Sequence, residues 1–253
     1  MRLALDIRLL YRRYALQLLR NPVWLFVGFS TPLLYLALFT PLLKHLTGAS
    51  LASGGRVLDG FLPGILALLA FATGTGSGFT TIFELQAGVV ERLRVTPASR
   101  LAILMGPILA SMTMMFVFDA VMVAVGVAFG FDIHWAGLAV LTVLLGVFMI
   151  TMAAFSIATA LVTKEISGFA AIMNGINLPV LLLAGVLLPI SLGPAWLRVL
   201  AHFNPLYYLV EAARVLASGS FAGEHVWQAF AVLVPLCALV LAWATRVFRD
   251  AVA

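Results

Sequence analysis

The stretch Trp135-AGLAVLTVLLGVFMITMAAFSIATAL-Val162 runs for 28 residues without one charged side chain. As a helix rising 1.5 Å per residue it measures about 42 Å, enough to cross the roughly 30 Å hydrocarbon layer of a bilayer. The rest of the chain has the same character. Of 253 residues, 63% are hydrophobic and 10% charged, whereas soluble domains average about 45–50% and about 25%. A chain of that composition cannot keep its surface in water, so the sequence is that of an all-α integral membrane protein. Six crossings of about 20 residues each leave little more than roughly 100 residues outside the hydrocarbon. No separate soluble domain fits, and residues 1–253 read as one transmembrane domain.

Working outward from residues 135–162, further apolar runs predict spans at 23–43, 61–83, 101–130, 168–188 and 226–245. Asn21-Pro22 opens the first span, since Asn caps free amides and Pro at the first helical position has no amide to leave unsatisfied. Before it, residues 1–21 carry Arg2, Arg8, Arg12, Arg13 and Arg20 among Leu, Ile and Tyr. No apolar core and small-residue cleavage site follow, so this is not a signal peptide. Ile7, Leu10, Tyr14 and Leu18 share one helical face and Asp6, Arg13, Gln17 and Arg20 another. That is the pattern of a helix lying in a headgroup layer, the alternative being a solvated basic arm.

Six crossings place both termini on one side, and the cations choose which. Eleven of the fifteen Lys and Arg fall on the side of the termini, and only Lys44, Arg56, Arg198 and Arg214 on the other. By the positive-inside rule the termini are cytoplasmic. The net charge of +5 therefore reports topology rather than a nucleic-acid partner.

Two connections are unusual. Residues 84–100, Glu84-LQAGVV-Glu91-RLRVTPAS-Arg100, place Leu85, Val89 and Leu93 along one helical side and Glu84 and Glu91 on another. Thr96-Pro97 then caps and starts the next span. A short amphipathic helix here either docks on a soluble partner or only turns the chain on the headgroups. Residues 189–225 are too apolar for an ordinary loop. Two short helices follow from their Pro starts, the second capped by Asn204 with Pro205 in its first turn. Trp196, Tyr207 and Tyr208 suit the membrane interface. The reading is a re-entrant helical hairpin on the external side, the alternative being an amphipathic loop lying on the surface.

Catalytic and metal constellations are missing. Gly74-Thr-Gly76-Ser-Gly78 lacks the Lys of a phosphate loop and lies inside a span, where small residues permit close helix packing. His45, His134, His202 and His225 are dispersed without metal-ligand spacing, G-x-S-x-G is absent, and the single Cys237 forms neither a disulfide nor a thiolate cluster within the chain. Intramembrane polar groups are few. An unpaired Asp119 in the third span costs at least about 2.5–3.5 kcal/mol, so it faces a cavity or a partner, is neutral, or lies at interfacial depth. Asn174 and Asn177 can bond across helices.

In its cytoplasmic segment Glu84-x3-Gly88-x2-Glu91-Arg92-Leu93-Arg94-Val-Thr96-Pro97-x2-Arg100, and in its Asn204-Pro205-Leu-Tyr207-x3-Glu211-Ala-x-Arg214 run, the chain resembles the permease subunits of type-2 ABC exporters. The similarity is to the doxorubicin-resistance type and its nodulation and polysaccharide-export relatives, and covers nearly the whole chain. It implies that residues 84–100 form the coupling helix seated in a cleft of a separate cytoplasmic ATPase, which binds the ATP and Mg. It also implies that the hairpin carrying Trp196, Asn204, Tyr207, Tyr208, Glu211 and Arg214 closes the outer side. This chain would then be no enzyme itself and hold no cofactor. The expected assembly is a homodimer with two ATPase copies in a bacterial cytoplasmic membrane, exporting an amphipathic or lipid-like substrate such as a drug, lipid or lipid-linked glycan. The absence of a large external domain weighs against the macrolide and lipoprotein exporters. An ion-driven secondary transporter and a membrane-embedded enzyme are the alternatives. The first would show acid relays or a repeat, and the second converging acid, base or metal ligands.

Overall fold

Uninterrupted apolar runs leave the backbone no hydrogen-bonding partner but itself, and inside a bilayer that selects helix. The computed structural model describes residues 2–20, 26, 28–38, 57–89, 92, 100–186, 190, 193–220 and 223–251, and these contain helices and no strand. We number the helices α1 (Arg2–Leu19), α2 (Gly28–Leu38), α3 (Val57–Gln86), α4 (Arg100–Ala128), α5 (Trp135–Thr163), α6 (Ile166–Ala184), α7 (Ala195–Ala201), α8 (Pro205–Ala217) and α9 (Glu224–Ala251). Five of them, α3, α4, α5, α6 and α9, are long and apolar enough to cross a membrane. Helix α2 lies within the expected first span, of which residues 23–25, 27 and 39–43 fall outside the described residues.

Several boundaries differ from the expectation. The run 168–188 stops being helical at Ala184, because Gly185 adopts a left-handed conformation (φ 67) that ends α6. The run 101–130 likewise ends at Ala128, and Gly130 (φ 99) turns the chain toward α5. Conversely α3 continues through Glu84 to Gln86, and α9 extends past 245 to Ala251. Hydropathy marks where lipid is tolerated, whereas helix ends are set by local turn geometry.

Helix α5, read first in the sequence, is the hub, with α3, α4, α6, α8 and α9 packed around it. The α3–α5 seam is the tightest. A Cβ on Gly74 would stand 2.6 Å from Met152 Cβ, and one on Gly78 would collide with Ser156 Oγ. The Gly78 N–H donates to Ser156 Oγ at 3.1 Å, and the Ser156 hydroxyl donates to the Thr75 carbonyl at 2.6 Å. This is the close packing expected of the Gly74–Gly78 stretch. Thr75, Thr142, Thr151 and Thr159 instead donate to carbonyls four residues earlier, so their hydroxyls need no partner helix.

Helix α1 packs along α4, where a Cβ on Gly106 would meet Leu10 Cβ at 2.7 Å. This changes the reading of its faces. Leu10 and Tyr14, on the apolar face expected in the headgroup layer, are buried in the protein, while Leu5, Leu9, Leu16 and Leu19 are exposed on a second side that also carries Arg12. Both sides carry leucines in the sequence, and only the docking onto α4 chooses between them.

Candidate functional site

At the Gln86 end of α3, Glu84 is turned inward and only 9% exposed. The Tyr14 hydroxyl donates to Glu84 Oε2 at 2.6 Å, and Arg13 Nη2 lies 3.4 Å from Oε1. The Arg13 guanidinium also sits over the Tyr14 ring, 5.3 Å from its centroid. Burial first, then the neighbouring Glu84 charge, push the Tyr14 phenol above its ordinary range, so Tyr14 stays a donor throughout the physiological range. A charge-assisted bond of this kind contributes about 1.5–3 kcal/mol. It ties the amphipathic helix α1 to the end of a membrane span.

Beyond Glu84 the chain turns at Ala87 and Gly88. Gly88 has φ 66, a conformation that a Cβ would disfavour, and its N–H donates to the Leu85 carbonyl. Its own carbonyl accepts from the Arg92 N–H at 3.2 Å, and Arg92 is exposed. Arg100 opens α4. Glu91, Leu93, Arg94, Thr96 and Pro97, and Asn21-Pro22 of the first span, lie outside the described residues. Of the two acids read on one helical side, Glu84 is an internal strut.

At the other end of the bundle the expected pair of short helices is present as α7 and α8. Asn204 is buried and joins two elements: its Oδ1 accepts from the Leu206 N–H at 3.0 Å as the α8 cap, and its Nδ2 donates to the Val180 carbonyl of α6 at 2.7 Å. Arg214 gathers three more. Its Nη1 pairs with Glu211 Oε1 at 2.8 Å, its Nε donates to the Gly60 carbonyl of α3 at 3.2 Å, and its Nη2 donates to the Gly185 carbonyl at the end of α6. Leu206, Leu209, Val210, Ala213 and Leu216 bury the inner face of α8, which contacts α3, α5, α6 and α9. Tyr207 and Tyr208 cluster with His202, and the Tyr208 hydroxyl donates to the His202 carbonyl at 3.0 Å. Trp196, on α7, remains exposed. Helix α8, with its cap Asn204, is thus hooked onto the ends of two candidate spans.

The intramembrane polar residues do not converge. Asp119 is 8% exposed, and neither carboxyl oxygen has a hydrogen-bond partner among the described residues. It stands nine residues before the end of α4, about 13 Å along the helix axis. Leaving a buried polar group unpaired costs about 1–3 kcal/mol. The variant Asp119→Leu is accordingly expected to unfold in detergent at a higher temperature than the parent, and an unchanged or lower midpoint would show that a partner satisfies the carboxyl. On α6, Asn174 is exposed, while Asn177 Oδ1 is buried without a partner.

Sequence reading passed over Tyr14 and Arg13 as partners of Glu84. Tyr14 was legible only as an apolar-face residue. It also missed the carbonyls of Gly60, Val180 and Gly185, since no side chain marks a backbone acceptor.

Comparison with known proteins agrees with this architecture. The profile of the ABC-2 type transporter family matches residues 6–217. The transport permease ycf38 of Cyanophora paradoxa is 31% identical over 217 residues, covering 85% of this chain and 75% of its own. Its namesake in Porphyra purpurea is 27% identical, covering 85% and 75%. The daunorubicin resistance ABC transporter permease protein DrrB1 of Streptomyces coeruleorubidus is 28% identical over 233 residues, covering 90% and 81%. With five helices apolar enough to cross a bilayer and a family match over most of its length, this chain is a multi-pass membrane permease, a transporter rather than an enzyme, and belongs to the ABC-2 type transporter family.

Proposed function

We propose that the chain is the membrane half of an ATP-driven exporter and moves an amphipathic or lipid-like substrate outward. Family membership implies an ABC ATPase subunit as partner. In this reading two copies of that subunit bind ATP and Mg on the cytoplasmic side of a bacterial membrane, beside both termini of the permease. Residues 84–100 provide the contact. The observation that carries the reading is the Tyr14–Glu84–Arg13 cluster, because it fastens the amphipathic α1 to the end of α3 just before the chain leaves the bundle. A push on the segment after Gly88 then moves α1 and α3 together. Arg92, exposed beyond the turn, is the nearest described residue placed to touch the ATPase, while Glu84 transmits.

A second copy of the chain is supported by α6. Gly168 and Gly175, seven residues apart on one helical side, have no atom within 4 Å of where a Cβ would stand, and Asn174 is exposed beside them. Small residues admit a close helix, and an amide facing hydrocarbon is costly unless another chain receives it. In a Cys237→Ser background, Gly175→Cys is expected to crosslink into dimers, and a monomer under oxidising conditions would reject this face.

The exporter reading is tested by purifying the tagged chain gently and identifying its stoichiometric companion. A phosphate-loop ATPase at one copy per permease, with substrate movement only when both and ATP are present, is expected. Transport by the permease alone would reject the reading. Daunorubicin, the drug in the name of DrrB1, is the first substrate to try. For the outer hairpin, Arg214→Gln frees the Gly60 and Gly185 carbonyls, and is expected to cut transport about tenfold with ATP hydrolysis retained. Normal transport in that variant would remove the hairpin from the gate.

A further inference from the structure

The exposed side of α1 is built from two kinds of surface. Leu5, Leu9, Leu16 and Leu19 are exposed on one side with the exposed Arg12 among them, because the other apolar side is committed to α4. Along the edge of that side Arg13, Leu16, Gln17 and Arg20 line a shallow, open cleft. Residues at spacings of three, four and seven share one side of a helix, so two guanidinium groups flank a donor amide with a leucine at its lip. Arg13 spends one of its five N–H groups on Glu84 at 3.4 Å and is held flat over Tyr14; its side chain is otherwise 40% exposed. Arg20 is exposed and makes no ion pair among the described residues.

The geometry points to a binding site for one anionic phospholipid, its phosphate between Arg13 and Arg20 and its acyl chains along Leu16 and the neighbouring leucines. Two forked cations match phosphate oxygens in a way that a zwitterionic headgroup, with its own ammonium, answers poorly. A soluble phosphate would use the arginines but leave the leucines uncovered. A cationic edge beside an apolar face is the arrangement that holds a helix at an anionic leaflet. Because Arg13 belongs to the cluster with Glu84 that fastens α1 to α3, a bound lipid headgroup touches that cluster directly. The site stands whether or not an ATPase drives the protein, since it is argued from α1 alone.

The test is native mass spectrometry of the full chain carried through graded delipidation with phosphatidylglycerol or phosphatidylcholine. One phosphatidylglycerol per chain is expected to persist under conditions that strip phosphatidylcholine. Arg20→Gln, which disturbs no contact among the described residues, is expected to lower its retention about fivefold, and Arg13→Gln similarly, while Arg8→Gln, on another side of the same helix, leaves it unchanged. Millimolar glycerol phosphate is not expected to displace the lipid. Equal retention of both lipids, an equal loss in Arg8→Gln, unaltered retention in Arg20→Gln, or displacement by glycerol phosphate would each overturn the proposal. The third outcome would exclude the cleft, and the fourth would assign it to soluble phosphate.

Discussion

Reversing the charge at Glu84 is expected to detach α1 from the end of α3 and to lower ATP-driven transport about a hundredfold, while the membrane helices still assemble. The Tyr14 hydroxyl loses its acceptor at 2.6 Å, and Arg13, now 3.4 Å from an anion, would face a second cation. Arg13 is 40% exposed and loses little, but the buried Tyr14 hydroxyl is left without its acceptor, about 1–3 kcal/mol, and an ammonium in place of the buried carboxylate adds an unpaired charge worth several kcal/mol. Each 1.4 kcal/mol is a factor of ten, so the loss corresponds to at least about two orders of magnitude in the docked population. Docking of α1 has its own readout. Tyr11 and Thr113 meet through their hydroxyls at 3.2 Å, and a Tyr11→Cys, Thr113→Cys pair, with Cys237→Ser to remove the native thiol, reports that proximity through a short bifunctional thiol reagent, because the shorter cysteine side chains do not reach each other for a direct disulfide. The crosslink is expected to form readily in the parent and to fall with Glu84→Lys, with Glu84→Gln intermediate because it still accepts from Tyr14. Full transport by Glu84→Lys, or an undiminished crosslink, would refute the strut.

The second large effect lies in the seam between α3 and α5. Gly78→Val is expected to destabilise the bundle by about 3 kcal/mol or more, seen as a lower thermal midpoint and aggregation of the detergent-solubilised protein. The first added carbon already collides with Ser156 Oγ and would stand 2.5 Å from Phe169 Cζ and 2.7 Å from the Ser156 carbonyl. The first two are side-chain atoms, but the carbonyl belongs to helix α5, so the helices must separate. Overpacking of this kind costs about 1–3 kcal/mol and occasionally more, and separation also breaks the bonds from Gly78 to Ser156 and from Ser156 to Thr75. Gly76→Val is the matched control. Gly76 lies two residues back along the same helix with nothing within 4 Å of its Cβ position, and the stability of this variant is expected to change by less than about 0.5 kcal/mol. Equal behaviour of the two variants would mean that the seam is not packed as described.

These two glycines show how far reading went. Gly74-Thr-Gly76-Ser-Gly78 was legible as a close-packing stretch, yet nothing in it says that Gly74 and Gly78 touch α5 and Gly76 does not. The angular position of a helix about its own axis is settled by its neighbour. In the same way Asn204-Pro205 announced the start of α8, because a cap and a proline act on amides one or two residues away. That Asn204 also holds Val180, and that Arg214 holds Gly60 and Gly185, depended on three helix ends arriving at one place. The pattern Glu84/Glu91 sets both acids on one side of a short helix, whereas Glu84 lies near the end of α3 and Tyr14, 70 residues away, holds it inward.

By itself the sequence determined the class, the apolar stretches that form the candidate spans, and the start of α8. Hydrophobic transfer and helix capping are local and additive, so they are written in consecutive residues. Only the tertiary structure decided which of two leucine-bearing sides of α1 meets the protein, which glycine of the seam bears the contact, and which carbonyls the buried Asn204 and Arg214 hold. Those choices depend on the relative rotation of whole helices, and backbone acceptors carry no side chain by which a sequence could mark them.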